Sequence, residues 1–370
     1  MRQLVLHVGS IKTGSTSAQT TFAASRPALA AHGVHYASIS RNHGAVSRII
    51  RAVRRNGMPD DPAIMPARAQ EASDFKLMRK AAAEAAAITD GTYLFSSEAL
   101  LTHSRRNVEL LKEIVARLFP GYSVRILAYI RHPVGYTISR GQNEIKLGTE
   151  TTAGAEARGY DGELKAGIET YAGVFGREAM IVRSYDAVVA AGRSVQEDML
   201  AAIGHPAAAE GLVVERSNES ISMNAALVCD IVNPALAARG IRVDTDLRRA
   251  KKQLLSEIGG PRFAFSAEAL ARVVAASAPE AAWFSNAYGI ELIAPGTVTR
   301  EEIAGALMPP AEVEAEAERV LGALLAIVEG RSARRPRKAG RRPRRRAATP
   351  TPPAAKGTLA RLFARIGIAR

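Results

Sequence analysis

One stretch near the N-terminus, HVGSIKTGST at positions 7–16, constrains the fold of this chain more than any other. An apolar run over residues 3–8 precedes it and is typical of a buried strand, and a helical pattern over residues 15–31 follows it. A glycine-containing loop between a strand and a helix offers free backbone N–H groups at the positive end of a helix dipole. The order strand, loop, helix therefore predicts an α/β fold with an anion site in this loop.

The loop differs from the nucleoside-triphosphate loop G-x-x-x-x-G-K-[ST], in which the lysine follows the second glycine. Gly9 and Gly14 have the correct spacing, but Ser15 occupies the lysine's place and the lysine is Lys12. No acidic residue follows a predicted strand where such proteins hold Mg²⁺, so we expect an anionic ligand bound without a metal ion. The predicted ligand contacts in the loop are Lys12, Thr13, Gly14, Ser15, Thr16 and Ser17.

Further strand patterns alternate with helical patterns along the chain. Buried strands are predicted at 93–95, 124–130 and 179–185, and helices at 76–87, 107–119 and 133–147. This alternation predicts a three-layer, P-loop-like parallel sheet flanked by helices. Residues 217–330 have mostly helical patterns, whereas residues 40–70 contain several Gly and Pro breakers and read as irregular. We predict one α/β domain over residues 1–330.

The basic charge of the chain is concentrated at its end. The formal net charge is +14, yet 14 of the 50 Lys and Arg residues lie in 331–370, which hold no acidic residue. The 36 basic residues before the tail therefore balance the 36 acidic ones. A nucleic-acid-binding fold should carry its charge on one face, so this neutral body makes a nucleic-acid partner the weaker interpretation.

The tail itself has two parts. Residues 331–357 are rich in Arg and Pro and are expected to be a disordered linker. Residues 358–370 have the pattern of a short amphipathic helix, with an apolar edge formed by Leu359, Leu362, Phe363 and Ile366. A polybasic segment beside such a helix favours peripheral attachment to an anionic membrane. A single cysteine, Cys229, and the lack of a signal-peptide or membrane-spanning pattern lead us to expect a cytoplasmic protein, peripheral on the inner face of the membrane.

Three charged residues follow predicted strand ends: Lys12, Glu98 and Arg131. Ligands of parallel sheets bind outside the carboxyl ends of the strands, so we expect these three side chains to face one crevice. Arg131 is suited to a bidentate contact with a terminal phosphate. Ser139, in the helix that Pro133 opens, can add a hydroxyl to the same phosphate.

At this point the sequence resembles a known family, the sulfotransferases that use 3′-phosphoadenosine 5′-phosphosulfate (PAPS). HVGSIKTGST resembles their 5′-phosphosulfate loop, and VRILAYIRHPVGYTIS resembles their 3′-phosphate motif, with Arg131 and Ser139 at its two characteristic positions. The stretches MIVRSYD and FSAEALARVVAASAPEAAWFSNAYGI resemble segments of bacterial carbohydrate-type members. The likeness extends over residues 1–295 and omits the tail.

The resemblance implies PAPS as donor and transfer of its sulfuryl group to a hydroxyl or amine of a carbohydrate or glycolipid. Lys12 would stabilise the leaving oxygen. Glu98, in YLFSSEAL, would be the general base, with His103 as the second candidate. The late Arg-Lys-Gly loop of cytosolic members has no clear equivalent; Arg216 or the turn at 259–262 could replace it. No aromatic residue can be assigned to stack on adenine.

Two other functions stay open at this stage. A P-loop kinase or NTPase with an unusual loop would explain the glycine spacing, although the position of Ser15 and the missing metal carboxylate weigh against it. A non-enzymatic nucleic-acid-binding protein would explain the isoelectric point of about 10.2. Binding of 3′,5′-ADP, ATP with Mg²⁺, or DNA distinguishes the three.

Overall fold

The computed structural model describes residues 2–10, 12–56, 69–213, 220–293 and 296–334. Beyond residue 334 the predicted linker and amphipathic helix lie outside the described residues, and so does Arg216. The described residues contain five strands: β1 Arg2–His7, β2 Val34–Tyr36, β3 Gly91–Ser96, β4 Ser123–Ile130 and β5 Met180–Ser184.

The strands form one parallel sheet in the order β2-β3-β1-β4-β5. β1 therefore lies between β3 and β4, and its last residue, His7, is in register with Ser96 and Leu127. After β1 the chain adds β2 and β3 on one side of that strand, and it later adds β4 and β5 on the other side. The carboxyl end of β1 is thus the topological switch point, where open parallel sheets bind ligands.

The helices are α1 Ser15–Ala24, α2 Arg26–Ala31, α3 Gly44–Asn56, α4 Ala69–Ala86, α5 Arg105–Leu118, α6 Pro133–Leu147, α7 Thr152–Arg158, α8 Glu163–Phe175, α9 Tyr185–Ala190, α10 Val195–Ala202, α11 Met223–Ala238, α12 Thr245–Ser256, α13 Ala267–Tyr288 and α14 Pro310–Arg334. With the parallel sheet, they confirm the predicted α/β class and the largely helical C-terminal half.

Each face of the sheet buries its own apolar cluster. Val5 of β1 packs with residues of α1, α2, α9 and α10, such as Phe22 and Met199. Leu4 and Leu6 point to the opposite face and pack with α3, α4, α5 and α8. Alternate strand residues thus enter different layers, because successive side chains of a strand point to opposite faces. The sheet with its two helical layers is the three-layer arrangement that the sequence predicts.

The described residues divide into two compact units. The sheet unit takes in the described parts of Met1–Asn143, Arg158–Ser220 and Phe263–Gly305. The helical unit takes in Glu144–Ala157, Ile221–Arg262 and the described part of the chain from Ala306, and in it α11 and α12 pack against α14. The prediction of one domain over 1–330 stays a prediction. Among the described helices, none has the length and apolarity needed to cross a bilayer.

The structure differs locally from the sequence prediction. The helix expected over 15–31 is broken at Ser25, because Pro27 sits in the first turn of α2. Its N-cap is Gly14, in the left-handed conformation, and no side chain caps this end of the helix. β2, α3 and α7 are absent from the sequence prediction. α14 continues to Arg334, four residues into the predicted linker.

Candidate functional site

The loop after β1 continues the sheet before it turns. The Val8 N–H donates to the Leu127 carbonyl oxygen at 2.9 Å, and the Ser10 N–H donates to the Tyr129 carbonyl oxygen at 3.3 Å. The chain then bends through two left-handed residues, Lys12 with φ 66° and Gly14 with φ 74°. Lys12 is the only non-glycine residue with positive φ in the part of the chain that the structure describes. This bend brings the chain to the N-terminus of α1.

The four hydroxyl residues among the predicted ligand contacts fall into two groups. The first, Thr13 and Ser15, is buried. The Thr13 hydroxyl donates to the Ser10 carbonyl oxygen at 2.8 Å, and its oxygen lies 3.3 Å from Ser15 Oγ. These two side chains brace the loop from within, so Ser15, which stands where an NTPase has its lysine, is turned into the protein.

The second group, Thr16 and Ser17, is half-buried and bonds to neighbouring elements. Thr16 Oγ1 donates to Glu98 Oε1 at 3.4 Å, and Gln196 Nε2 donates to Ser17 Oγ at 2.9 Å. The first of these contacts joins the start of α1 to the segment that follows β3. It brings the predicted general base next to the loop of residues 9–15, called the donor loop because it is predicted to bind the sulfuryl donor.

Arg131, directly after β4, also reaches the loop. Its Nη1 donates to the Lys12 carbonyl oxygen at 3.3 Å. Its guanidinium carbon lies 5.3 Å from the centre of the Tyr185 ring, and its Nε lies 3.6 Å from Asp186 Oδ1. Tyr185 and Asp186 begin α9, immediately after β5. Arg131 is therefore held at the loop by backbone, carboxylate and aromatic contacts at once.

The carboxylate that holds Arg131 is itself partly desolvated. Asp186 Oδ2 accepts the His132 N–H at 2.5 Å, and burial raises the pKa of Asp186, opposed by this bond and by the Arg131 charge. Ser139, the other predicted phosphate contact, is half-buried on α6, about 9 Å along the helix from Pro133. Sequence reasoning missed the roles of Tyr185 and Asp186, although MIVRSYD ends in these two residues.

Glu98 lies beside a cavity of about 440 Å³. Its walls combine the donor loop, the segment after β3, α6 and α8. The lining residues are Gly9, Ser10, Glu98, Ala99, Leu101, Thr102, Tyr136, Arg140 and Leu164. Arg140 Nη1 donates to Asp161 Oδ2 at 2.6 Å, and the Tyr136 ring packs edge-on against Tyr160 at 6.3 Å. The cavity thus combines apolar side chains with three hydroxyl-bearing residues, one guanidinium and the Glu98 carboxylate.

The structure places His103 differently, away from that lining. His103 Nε2 lies 2.8 Å from Ser47 Oγ, and its Nδ1 lies 3.1 Å from Asn107 Nδ2. Burial and the nearby Arg51 charge lower the pKa of His103. Both ring nitrogens are therefore engaged with α3 and α5. The two candidate bases are five residues apart in sequence but have different surroundings.

A metal site does not emerge from the described residues, among which no group of three or more His, Cys, Asp or Glu side chains could hold an ion. The Arg131 guanidinium lies at the backbone of Lys12, two residues before the Gly14 N-cap of α1, so a lysine and an arginine belong to this end of the sheet. Backbone N–H groups, a lysine and an arginine are the groups with which proteins bind phosphate and sulfate esters.

Comparisons with known proteins give little further guidance. No protein-family model matches the chain, and no curated protein matches it. The chain is similar to the crystal structure of a sulfotransferase from Alicyclobacillus acidocaldarius, with 16% sequence identity over 67% of this chain and 99% of that one, and a TM-score of 0.33. A TM-score of this size does not establish a shared fold.

Proposed function

We propose that this protein is a PAPS-dependent sulfotransferase. The observation that carries the proposal is that the donor loop and the start of α1 are hydrogen-bonded to the predicted phosphate-binding arginine and to the predicted base. Arg131 donates to the Lys12 carbonyl oxygen, and Glu98 accepts from Thr16. These contacts bring the Arg131 guanidinium to the backbone of Lys12 and the Glu98 carboxylate to the start of α1, at the switch point of the sheet, which supports their proposed roles as phosphate ligand and base. The motifs resembling those of PAPS-dependent enzymes lie at these same strand ends.

The donor would bind across the ends of β1 and β4. The backbone N–H groups around Gly14 and the α1 dipole suit the 5′-phosphosulfate. Arg131, with Ser139 further along α6, would bind the 3′-phosphate that distinguishes PAPS from other nucleotides. The contacts of Arg131 with Tyr185 and Asp186 fix its guanidinium in advance, so less conformational entropy is lost when the phosphate binds.

The reaction would be an in-line transfer. The acceptor oxygen or nitrogen forms a bond to sulfur while the bond from sulfur to the bridging phosphate oxygen breaks, and 3′,5′-ADP leaves. Glu98 takes the acceptor's proton, and the Lys12 ammonium stabilises the negative charge that grows on the leaving oxygen. The left-handed backbone at Lys12 sets the direction in which this side chain leaves the loop.

The cavity beside Glu98 is the proposed acceptor site. Its volume of about 440 Å³ lies in the range of small-molecule sites, and Gly9 and Ser10 of the donor loop form part of its wall. A hydroxyl placed there would lie between donor and base. Carbohydrate or glycolipid as acceptor class rests on the family resemblance, and Arg140 with Tyr136 provides the polar and stacking contacts that a sugar uses.

The two alternative functions fit the site less well. Ser15 is buried and directed to Thr13, so the loop has no cation where NTPases contact the β- and γ-phosphates. The charge that would attract nucleic acid is concentrated in the tail rather than on the α/β body.

Ligand binding tests the proposal directly. Thermal unfolding should shift upward with 3′,5′-ADP, and should shift far less with ATP and Mg²⁺ or with duplex DNA. Transfer of labelled sulfate from PAPS to envelope glycans of the source cells should then identify the acceptor. Equal stabilisation by 5′-AMP and 3′,5′-ADP would contradict PAPS as donor.

We also propose, from sequence alone, that the basic tail attaches the protein to an anionic membrane near a lipid-linked acceptor. Full-length protein should sediment with phosphatidylglycerol-containing vesicles at low salt, and a chain ending at Arg334 should not. Phosphatidylcholine vesicles are the control, and added salt should weaken the sedimentation. Tight binding to DNA without binding to anionic vesicles would contradict the membrane role.

A further inference from the structure

The last residue of β1, His7, is a buried imidazole directly beneath the donor loop. It is 1% exposed, and its ring packs edge-on against Tyr129 at a centroid distance of 6.0 Å. Burial lowers the pKa of His7 to about 4, so the ring is neutral at physiological pH. A neutral imidazole carries one N–H donor and one acceptor nitrogen, and their arrangement depends on its neighbours.

The neighbours of His7 indicate which nitrogen carries the proton. Nδ1 lies 2.8 Å from Ser96 Oγ, and that oxygen accepts a hydrogen bond from Gln19 Nε2 at 3.2 Å. A hydroxyl that accepts from Gln19 still has its own proton to donate to Nδ1. In this arrangement Nδ1 is the acceptor and Nε2 carries the ring proton.

His7 Nε2 is buried and has no hydrogen-bond partner among the described residues. It is directed at the donor loop, because a Cβ added to Gly9 would lie 2.7 Å from Nε2 and 3.1 Å from Ser15 Oγ. Gly9 therefore leaves space at the floor of the loop, and two polar atoms border that space. A buried donor without a partner is costly, so such an atom in a binding loop points to a ligand.

We propose that His7 is a binding residue for the donor: its Nε2–H donates a hydrogen bond to an oxygen of the anion held in the Gly9–Ser15 loop. This inference rests on the proposed function for the identity of the anion, but its geometry requires only that an oxyanion occupies the loop. It also explains the residue type at position 9, since any side chain there would displace the imidazole or close the space.

Two substitutions separate the nitrogens of His7. His7→Asn keeps a polar group near the Nδ1 position, next to Ser96, and removes the group that faces the loop. His7→Gln extends an amide to the Nε2 position. We expect His7→Asn to weaken 3′,5′-ADP binding roughly tenfold or more, as for a lost hydrogen bond to a charged group, and His7→Gln to stay within about threefold of the wild type. Gly9→Ala should weaken binding at least as much as His7→Asn.

His43 provides the matched control. Burial lowers its pKa to about 4 as well, but both of its ring nitrogens are bonded: Nδ1 accepts the Ser96 N–H, and Nε2 bonds to the Ala37 carbonyl oxygen. His43→Asn should lower thermal stability and leave 3′,5′-ADP affinity unchanged. Equal losses of affinity in His7→Asn and His43→Asn would reduce His7 to a structural residue and overturn the proposal.

A measurement on the wild type covers the case in which these variants do not fold. In ¹⁵N-histidine-labelled protein, the free state should show His7 protonated at Nε2, and 3′,5′-ADP should shift the Nε2 resonance while those of His43 stay in place. A proton on Nδ1, or an unchanged Nε2 resonance at saturating ligand, would contradict the proposal. Inorganic pyrophosphate is the second probe. If 3′,5′-ADP fails to bind, the proposed function fails, whereas a His7 response to pyrophosphate still supports the inference.

Discussion

The segments that follow β1 and β3 lie at neighbouring strand ends, yet the first is distinguished by its backbone conformation and the second by individual side chains. After β1, the side chains of Thr13 and Ser15 bond within the loop, and the backbone turns through the left-handed residues Lys12 and Gly14. After β3, individual side chains distinguish the candidate residues. Glu98 borders the cavity, whereas His103 is hydrogen-bonded to α3 and α5. Glycine spacing therefore marks the first segment in the sequence, but residue type alone does not distinguish Glu98 from His103 in the second.

The largest effect should come from the second segment. Glu98→Gln keeps the shape and the contact with Thr16 but removes the base, and we expect turnover to fall by roughly 10²–10⁴. Binding of 3′,5′-ADP, measured by calorimetry, should stay within about twofold, because a glutamine can still accept the hydrogen bond from Thr16. Unchanged turnover would contradict the assignment of Glu98 as the general base.

The next effect tests whether the first segment acts through its side chain or its backbone. Lys12→Ala should lower turnover by roughly 10²–10³, since one charge contact in the transition state is lost. Lys12→Gly is the matched control, because glycine adopts the φ of 66° without strain. Both variants should be equally slow. A Gly variant with near-normal turnover would assign Lys12 a conformational role only.

Arg131 extends the comparison to the third strand end. Arg131→Ala should weaken binding of 3′,5′-ADP by roughly 10- to 100-fold, the size expected for hydrogen bonds to a charged group, and leave the weaker binding of 5′-AMP unchanged. Asp186→Asn keeps Arg131 but removes the carboxylate beside it. This variant should therefore lose less affinity for 3′,5′-ADP than Arg131→Ala does. Equal losses for both nucleotides in Arg131→Ala would place Arg131 away from the 3′-phosphate.

Local sequence patterns predict the elements of this fold better than they predict the contacts between distant segments. Four of the strands and the strand-end positions of Lys12, Glu98 and Arg131 follow from local periodicity and breakers. β2, with three residues, is too short to show a period, and α3 lies among glycines and prolines that hide its amphipathic pattern. Contacts between distant segments, such as those of Arg131 with α9, depend on tertiary packing, which local patterns do not encode.

The buried histidines on either side of Ser96 make stability depend on pH. Burial lowers the pKa values of His7 and His43 from 6.5 to about 4, so the unfolded state binds more protons between these values. The free energy of unfolding should therefore have its full value above pH 6.5 and should fall by roughly 3 kcal/mol per histidine as the pH drops toward 4. Urea unfolding across this range measures the slope, and His7→Gln should reduce it. A flat profile would show that the rings titrate normally.

The smallest effect should come from the second candidate base. His103→Gln removes the imidazole but keeps an amide able to bond to Ser47 or Asn107, and burial already keeps the pKa of His103 low. Because its nitrogens are engaged away from the cavity lining, we expect a change in turnover of less than about threefold. The lost hydrogen bond should instead lower the free energy of unfolding by about 1 kcal/mol. Comparing kcat with urea stability for this variant and for Glu98→Gln separates a structural from a catalytic role. If His103→Gln loses more turnover than Glu98→Gln while keeping its stability, the base is His103, and the segment after β3 must rearrange when the acceptor binds.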